Sequence, residues 1–213
     1  MQSYRALTVM IIPGEEAPAD ADLDGPLEQK SIFEWDAATR ASRTVVGPIE
    51  EITVGSARWT RMGDSPWTEQ TLSPEEQGAW EEKMAFAQHW GDPDLLEEEL
   101  EGSLPEGVEL VPAQIFSVAI KAAMVFDGEE TVNGVLSKRY AVDTDLDYTR
   151  ETGSHTTGHA KGTMWVAAQA GMPPVVVRAV MEEDLVVDGD PSYPSWEYDL
   201  TDINQPVMIE SPE

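Results

Sequence analysis

The chain has 213 residues, with 13 Lys+Arg against 41 Asp+Glu and a formal charge of −28. A surface of that sign repels phosphate backbones and anionic membranes, which disfavours nucleic-acid binding and electrostatic docking on lipid. Hydrophobic residues at 41% and 7 Trp are too many for a chain without a core, and the length suits one domain or at most two.

The run Tyr4-Arg5-Ala6-Leu7-Thr8-Val9-Met10-Ile11-Ile12 is rich in β-formers and stops at Pro13-Gly14, which predicts a first strand. A core strand so close to Met1 leads us to expect that an export segment has been cut away ahead of it. Residues 13–26 read as an exposed, acidic, Pro- and Ala-rich loop. A second strand is expected over 27–35, then a turn and strand over 37–46. Alternation at Ile52 and Val54, with turns at Gly55-Ser56 and Gly63-Asp64-Ser65-Pro66, predicts an antiparallel meander through Gln70.

The period then changes. Ser73-Pro74-Glu75-Glu76 is a helix start, with an N-cap Ser, Pro at the first helical position and Glu three residues after the cap. Ala79, Trp80, Met84, Phe86, Ala87 and Trp90 would form its apolar face, ended by Gly91. A short helix carrying Leu95, Leu96 and Leu100 follows Asp92-Pro93. Residues 112–123 are read as a further helix, because Gln114, Ser117 and Lys121 share one side of a helical wheel. Strands return over 125–132 and 135–142 around the hairpin turn Asn133-Gly134. A polar loop is expected over 143–158, strands over 163–167 and 174–182, and a last strand over 195–200, where Trp196 and Tyr198 alternate.

Chemistry-bearing patterns are few. Cysteine is absent, so disulfides, thiolate metal sites and Cys nucleophiles are excluded together. There is no G-x-S-x-G elbow and no Gly-rich phosphate loop, and carboxylate pairs are the background of so acidic a chain. We therefore expect no enzymatic activity. Asp20-Ala21-Asp22-Leu23-Asp24-Gly25 matches the first half of a calcium loop, with Glu28 at its ninth position, but Ser31 stands where a bidentate Glu belongs. The segment is either a calcium site or a solvated acidic loop. His155 and His159 have the spacing of a helical zinc pair, yet Gly153 and Gly158 argue for a loop and no third ligand is evident. His89 sits between apolar helix positions, at the edge of the core.

The order of elements resembles the bacterial LolA/LolB-like lipoprotein-carrier superfamily, closest to LppX/LprG-type lipoproteins. The likeness is carried by Ser3-Tyr4-Arg5, by Gly63-Asp64-Ser65-Pro66-Trp67, and by Gly128 to Val135 leading to Tyr140. It continues through Trp165-Val166-Ala167 with Gly171 and Pro173-Pro174, and ends on Asp199 to Val207 with Ile209 and Pro212. It spans almost the whole chain. The resemblance implies an α+β, mostly antiparallel fold: an incompletely closed β-barrel, or half-barrel, with helices covering its concave face, in a single domain over 1–213. It implies a non-enzymatic extracytoplasmic protein of the cell envelope that binds or carries lipid or lipoprotein acyl chains. It also implies a lipid anchor, although the anchor Cys is missing here. Within that picture a helical lid over 73–123 covers a cavity lined by Trp35, Trp59, Trp80, Met84, Trp90, Leu96, Phe116, Ile120, Met124 and Trp165. The rival from another class is an interaction or sensor module of the envelope with the same fold. No cofactor other than a possible calcium is expected, and the chain is expected to be a monomer. Anionic head groups would need Arg58, Arg61, Lys121 or Arg178, so a neutral ligand is expected.

Overall fold

The computed structural model describes residues 3–12, 27–87, 124–149, 154–172 and 175–212, without the side chains of 12, 27, 81–87, 148 and 149. Among them the fold is mostly antiparallel β with one helix. The strands of the N-terminal half are β1 (Ser3–Ile12), β2 (Leu27–Asp36), β3 (Ala41–Val46), β4 (Ile49–Val54), β5 (Ala57–Met62) and β6 (Thr68–Thr71). The helix α1 (Pro74–Ala87) follows. Then come β7 (Val125–Val132), β8 (Val135–Thr149), β9 (His155–Ala167), β10 (Val176–Val187), β11 (Asp190–Ser192) and β12 (Ser195–Thr201). The hydrogen-bonded order is β6-β5-β4-β3-β2-β1-β12-β10-β9-β8-β7, with β11 paired to β10 off this path. Strands β6 and β7 are the two ends of that order, and among the described residues no pairing closes the sheet.

The described residues fall into two compact units. The first holds 3–8, 30–87 and 199–212. Its strands β2 to β6 are a meander of antiparallel neighbours in register. Tight turns make this possible: Gly47, Gly55 and Gly63 each take a positive φ that other residues resist. On one face of the meander, Ala41, Ile52, Val207 and Ile209 form a buried cluster, with Val54, Trp59 and Trp67 packed against it. The opposite face carries Trp35 and receives α1.

The second unit holds 9–12, 27–29, 124–149, 154–172 and 175–198. Strands β7 to β10 are successive antiparallel neighbours. Asn133 and Gly134, with φ of 51° and 80°, make the β7–β8 turn, the conformation that matches the twist of a two-residue hairpin. Asp188 and Gly189 repeat it between β10 and the unforeseen β11.

The polar loop expected over 143–158 is a misreading. Strand β8 runs on to Thr149 and β9 already begins at His155. The alternation was there: Val142 and Leu146 are buried while Asp143, Asp145 and Asp147 are exposed. Three aspartates in one strand hide it, since Asp disfavours strands in isolation but is tolerated on a solvated face. Gly158 and Gly162 in β9 have a second role. A Cβ on either would stand 2.1 Å from a backbone oxygen of β10, so only glycine lets the two strands approach there.

Candidate functional site

The site is built in the first unit, on the face of the meander that α1 covers. The helix start follows its sequence signature. Glu76 N–H donates to Ser73 Oγ at 3.2 Å, and Ser73 N–H donates to Glu76 Oε2 at 2.8 Å. That backbone bond is the main cause holding the Glu76 carboxyl below its ordinary value. The cap fixes where α1 begins, and Trp80 then drops onto the sheet. Its ring meets Trp35 edge-on at 5.9 Å, and its indole N–H donates to Ser42 Oγ at 3.2 Å. Both tryptophans are buried. On the same face, Tyr4 of β1 is fully buried and lies 5.8 Å from Phe33 of β2. Four rings therefore line this side of β1, β2 and α1. Ala79, expected on the apolar side of the helix, is exposed.

The reverse face is a different environment. Arg5, Glu34, Arg43, Glu50 and Arg61 alternate in sign across β1 to β5. Arg5 Nε donates to Glu34 at 2.6 Å, Arg43 donates to Glu34 and Glu50 at 3.1 and 2.7 Å, and Arg61 Nε donates to Glu50 at 2.8 Å. Both carboxylates are buried. Burial pushes the Glu50 carboxyl up, but its bonds with Arg43 and Arg61 outweigh burial and hold it below the ordinary value. Arg61 also stacks 4.4 Å from the Trp67 ring centroid. These acids and bases are spent on each other, so Arg61 is withdrawn from the set expected to meet anions.

The residues expected to line one cavity are divided by the structure. Trp35 and Trp80 come together. Trp59 is a correction: its register places it opposite Ile52, on the reverse face with the Val207–Ile209 cluster. Trp165 belongs to the second unit. In the second unit, β8 to β10 bury Val142, Leu146, Ala160, Met164, Ala179, Met181 and Leu185 on one face. Trp165 projects from the other face, beside Arg139 and Arg178, and its indole N–H donates to Glu130 at 2.7 Å. Arg178 lies 5.7 Å from its ring centroid and 3.7 Å from Glu197. A one-residue step in a strand reverses the face, and composition carries no trace of that choice. Met124 is half-buried just before β7. Trp90, Leu96, Phe116, Ile120, Lys121 and the side chain of Met84 lie outside the described residues, as does most of the expected lid.

Asp20, Asp22 and Asp24 of the possible calcium loop also lie outside them, while Glu28 is exposed in β2. Among the described residues, no three His, Asp or Glu side chains gather as metal ligands. His155 and His159 stand on a strand, not in a loop. His159 is bracketed by carboxylates, Nδ1 at 3.0 Å from Asp145 and Nε2 at 3.2 Å from Asp143. The bond to Asp145 is the leading cause raising its pKa above the ordinary imidazole value. Among the described residues, no helix is long and apolar enough to cross a membrane.

Comparison with protein-family models and with curated proteins finds no match.

Proposed function

We propose that the protein is a non-enzymatic, extracytoplasmic lipid- or lipoprotein-binding carrier of the LolA/LolB-like kind. It holds acyl chains between an incompletely closed half-barrel and α1, which opens and closes over the concave face. The observation that carries the reading is the aromatic face of the first unit, where Tyr4 packs on Phe33 and Trp35 meets Trp80 of α1. An apolar chain on such a face is stabilised by about 0.8 kcal/mol for each methylene withdrawn from water. Among the described residues, Trp80 ties α1 to the sheet through the Trp35 ring and the Ser42 hydroxyl. On the aromatic face the register places one acid, Glu51, which is paired with Arg58, while Asp143, Asp145, Asp147, Glu182 and Asp184 are all exposed on one face of β8 and β10. That distribution supports a neutral or weakly charged cargo and solubility without a counter-surface.

Native mass spectrometry of the purified full chain, with lipid extraction alongside, tests this. Adducts of acyl-chain mass that survive gentle ionisation are expected. A protein that emerges lipid-free and takes up no acyl compound on incubation is not a carrier. The second reading is a sensor or interaction module of the envelope. It is favoured by Val125, Phe126 and Leu136, apolar side chains exposed on β7 and β8 at one end of the strand order. Protection of that hairpin in hydrogen exchange by an envelope partner, without lipid uptake, would support it instead.

A further inference from the structure

Strands β2 to β5 place Trp35, Ser42, Thr53 and Arg58 directly opposite one another in register. Four polar side chains thus cross the helix-covered face in a single line. Ser42 is engaged, since its Oγ accepts from Trp80. The others are not. Trp35 is 3% exposed and Thr53 is 0% exposed, and neither Trp35 Nε1 nor Thr53 Oγ1 has a hydrogen-bond partner among the described residues. Arg58 Nε is also buried without a hydrogen bond, and meets Glu51 only as an ion pair at 3.6 Å. Buried polar groups in folded proteins are nearly always satisfied, so two in one row, beside a third on a guanidinium, call for a function. Their chemistry is one-sided. An indole N–H and a guanidinium can only donate, and a hydroxyl can donate. Glu51, on the same face, partners Arg58 alone, so the donors of Trp35 and Thr53 still call for acceptor oxygens.

We propose that this row receives the oxygen atoms of a single-chain acyl compound, a terminal carboxylate or an ester carbonyl. The hydrocarbon of the same molecule lies against Tyr4, Phe33 and Trp80. The inference rests on the carrier reading and sharpens it: burial supplies affinity, and the row selects an oxygenated end over bare hydrocarbon and fixes which end of the chain sits under α1. Arg58 decides between the two oxygen sources. A carboxylate needs its charge, whereas an ester carbonyl needs only donors.

The test uses the full chain after delipidation, with palmitate, methyl palmitate and hexadecane as probes, followed by titration calorimetry. Thr53→Val keeps shape and removes one donor, whereas Trp35→Phe removes the indole donor together with part of the ring, so its effect is read against hexadecane. Each is expected to weaken binding of the oxygenated probes about three- to tenfold beyond any change in hexadecane binding. Arg58→Met distinguishes the sources: a loss confined to palmitate assigns the carboxylate, and an equal loss on both assigns the carbonyl. Thermal melting gives an independent readout. Free Thr53→Val is expected to melt no lower than the wild type, because it deletes a buried hydroxyl that has nothing to bond. Wild type that binds none of the three probes sinks the carrier reading. Wild type that binds all three, with both variants equal to it or weakened equally on hexadecane, overturns the donor row alone.

Discussion

Glu50→Gln probes the charge ladder on the reverse face of the meander. Glu50 is 8% exposed and is bonded to Arg43 at 2.7 Å and Arg61 at 2.8 Å. Glutamine has nearly the same shape but can accept from only one arginine, and turns its own donors toward the other. Removing one partner of a fully buried pair costs about 3–5 kcal/mol, while exposed pairs are worth about 0–1 kcal/mol. Here the carboxylate is buried, but Arg43 and Arg61 are 36% and 35% exposed, so solvent screens part of the loss. An intermediate cost of about 2 kcal/mol is expected. The pH dependence gives the reasoning a sign. The folded-state pKa of Glu50 is lowered, so its contribution is fully present above the ordinary Glu value and is lost as pH falls through the lowered one. Urea unfolding followed by Trp fluorescence, at neutral pH and at steps into acid, measures the gap between wild type and variant. All the other acids titrate in both proteins and cancel from that gap. It should hold near neutrality and close in acid below the ordinary carboxylate range. A gap under about 0.5 kcal/mol at neutral pH, or one that does not shrink in acid, would refute the claim that the ladder is a coupled, desolvated network.

Three further outcomes are expected. Ser73→Ala removes the acceptor for the Glu76 N–H and should cost about 1 kcal/mol in urea unfolding, with fraying of α1 visible in hydrogen exchange; unchanged exchange at the helix start would count against the cap. Asp145→Asn should bring the His159 pKa back toward the ordinary imidazole value in an NMR titration. Because that pKa is raised in the folded state, the stabilisation it carries is present below the ordinary imidazole value and disappears as pH rises through the raised one. Gly162→Ala would set a Cβ 2.1 Å from the Val180 carbonyl oxygen and should cost about 2–3 kcal/mol, read as a lower urea midpoint with the slope unchanged.

The local chemistry of the chain determined a good part of this protein. The cap at Ser73 and Glu76, the Asn133-Gly134 turn, the glycine turns of the meander and the alternation in β4 and β12 are short-range signals. Each depends on backbone preferences within a few residues, so each can be read without knowing the partner strand. Alternation in β8 was equally local, and was hidden only because its outward residues are aspartates. The candidate site was legible to half its depth. Trp80 and Trp35 could be named as apolar and Arg58 as a cation for a head group, but not the Ser42 and Thr53 that stand in line between Trp35 and Arg58.

What only the tertiary structure decided is which residues stand opposite one another. Trp35 and Trp59 are alike in composition and in burial tendency, yet the register of β2 to β5 sends them to opposite faces. Arg58 and Arg61 sit in one strand, and the register places Arg61 in the charge ladder and Arg58 on the face under the helix. The physical reason is that strand pairing is non-local: side chains alternate strictly along each strand, but the phase of that alternation is set by partners many residues away. The charge of −28 follows from counting. That several of its aspartates line one exposed face of β8, and that two glutamates are instead buried between arginines, follows only from the fold.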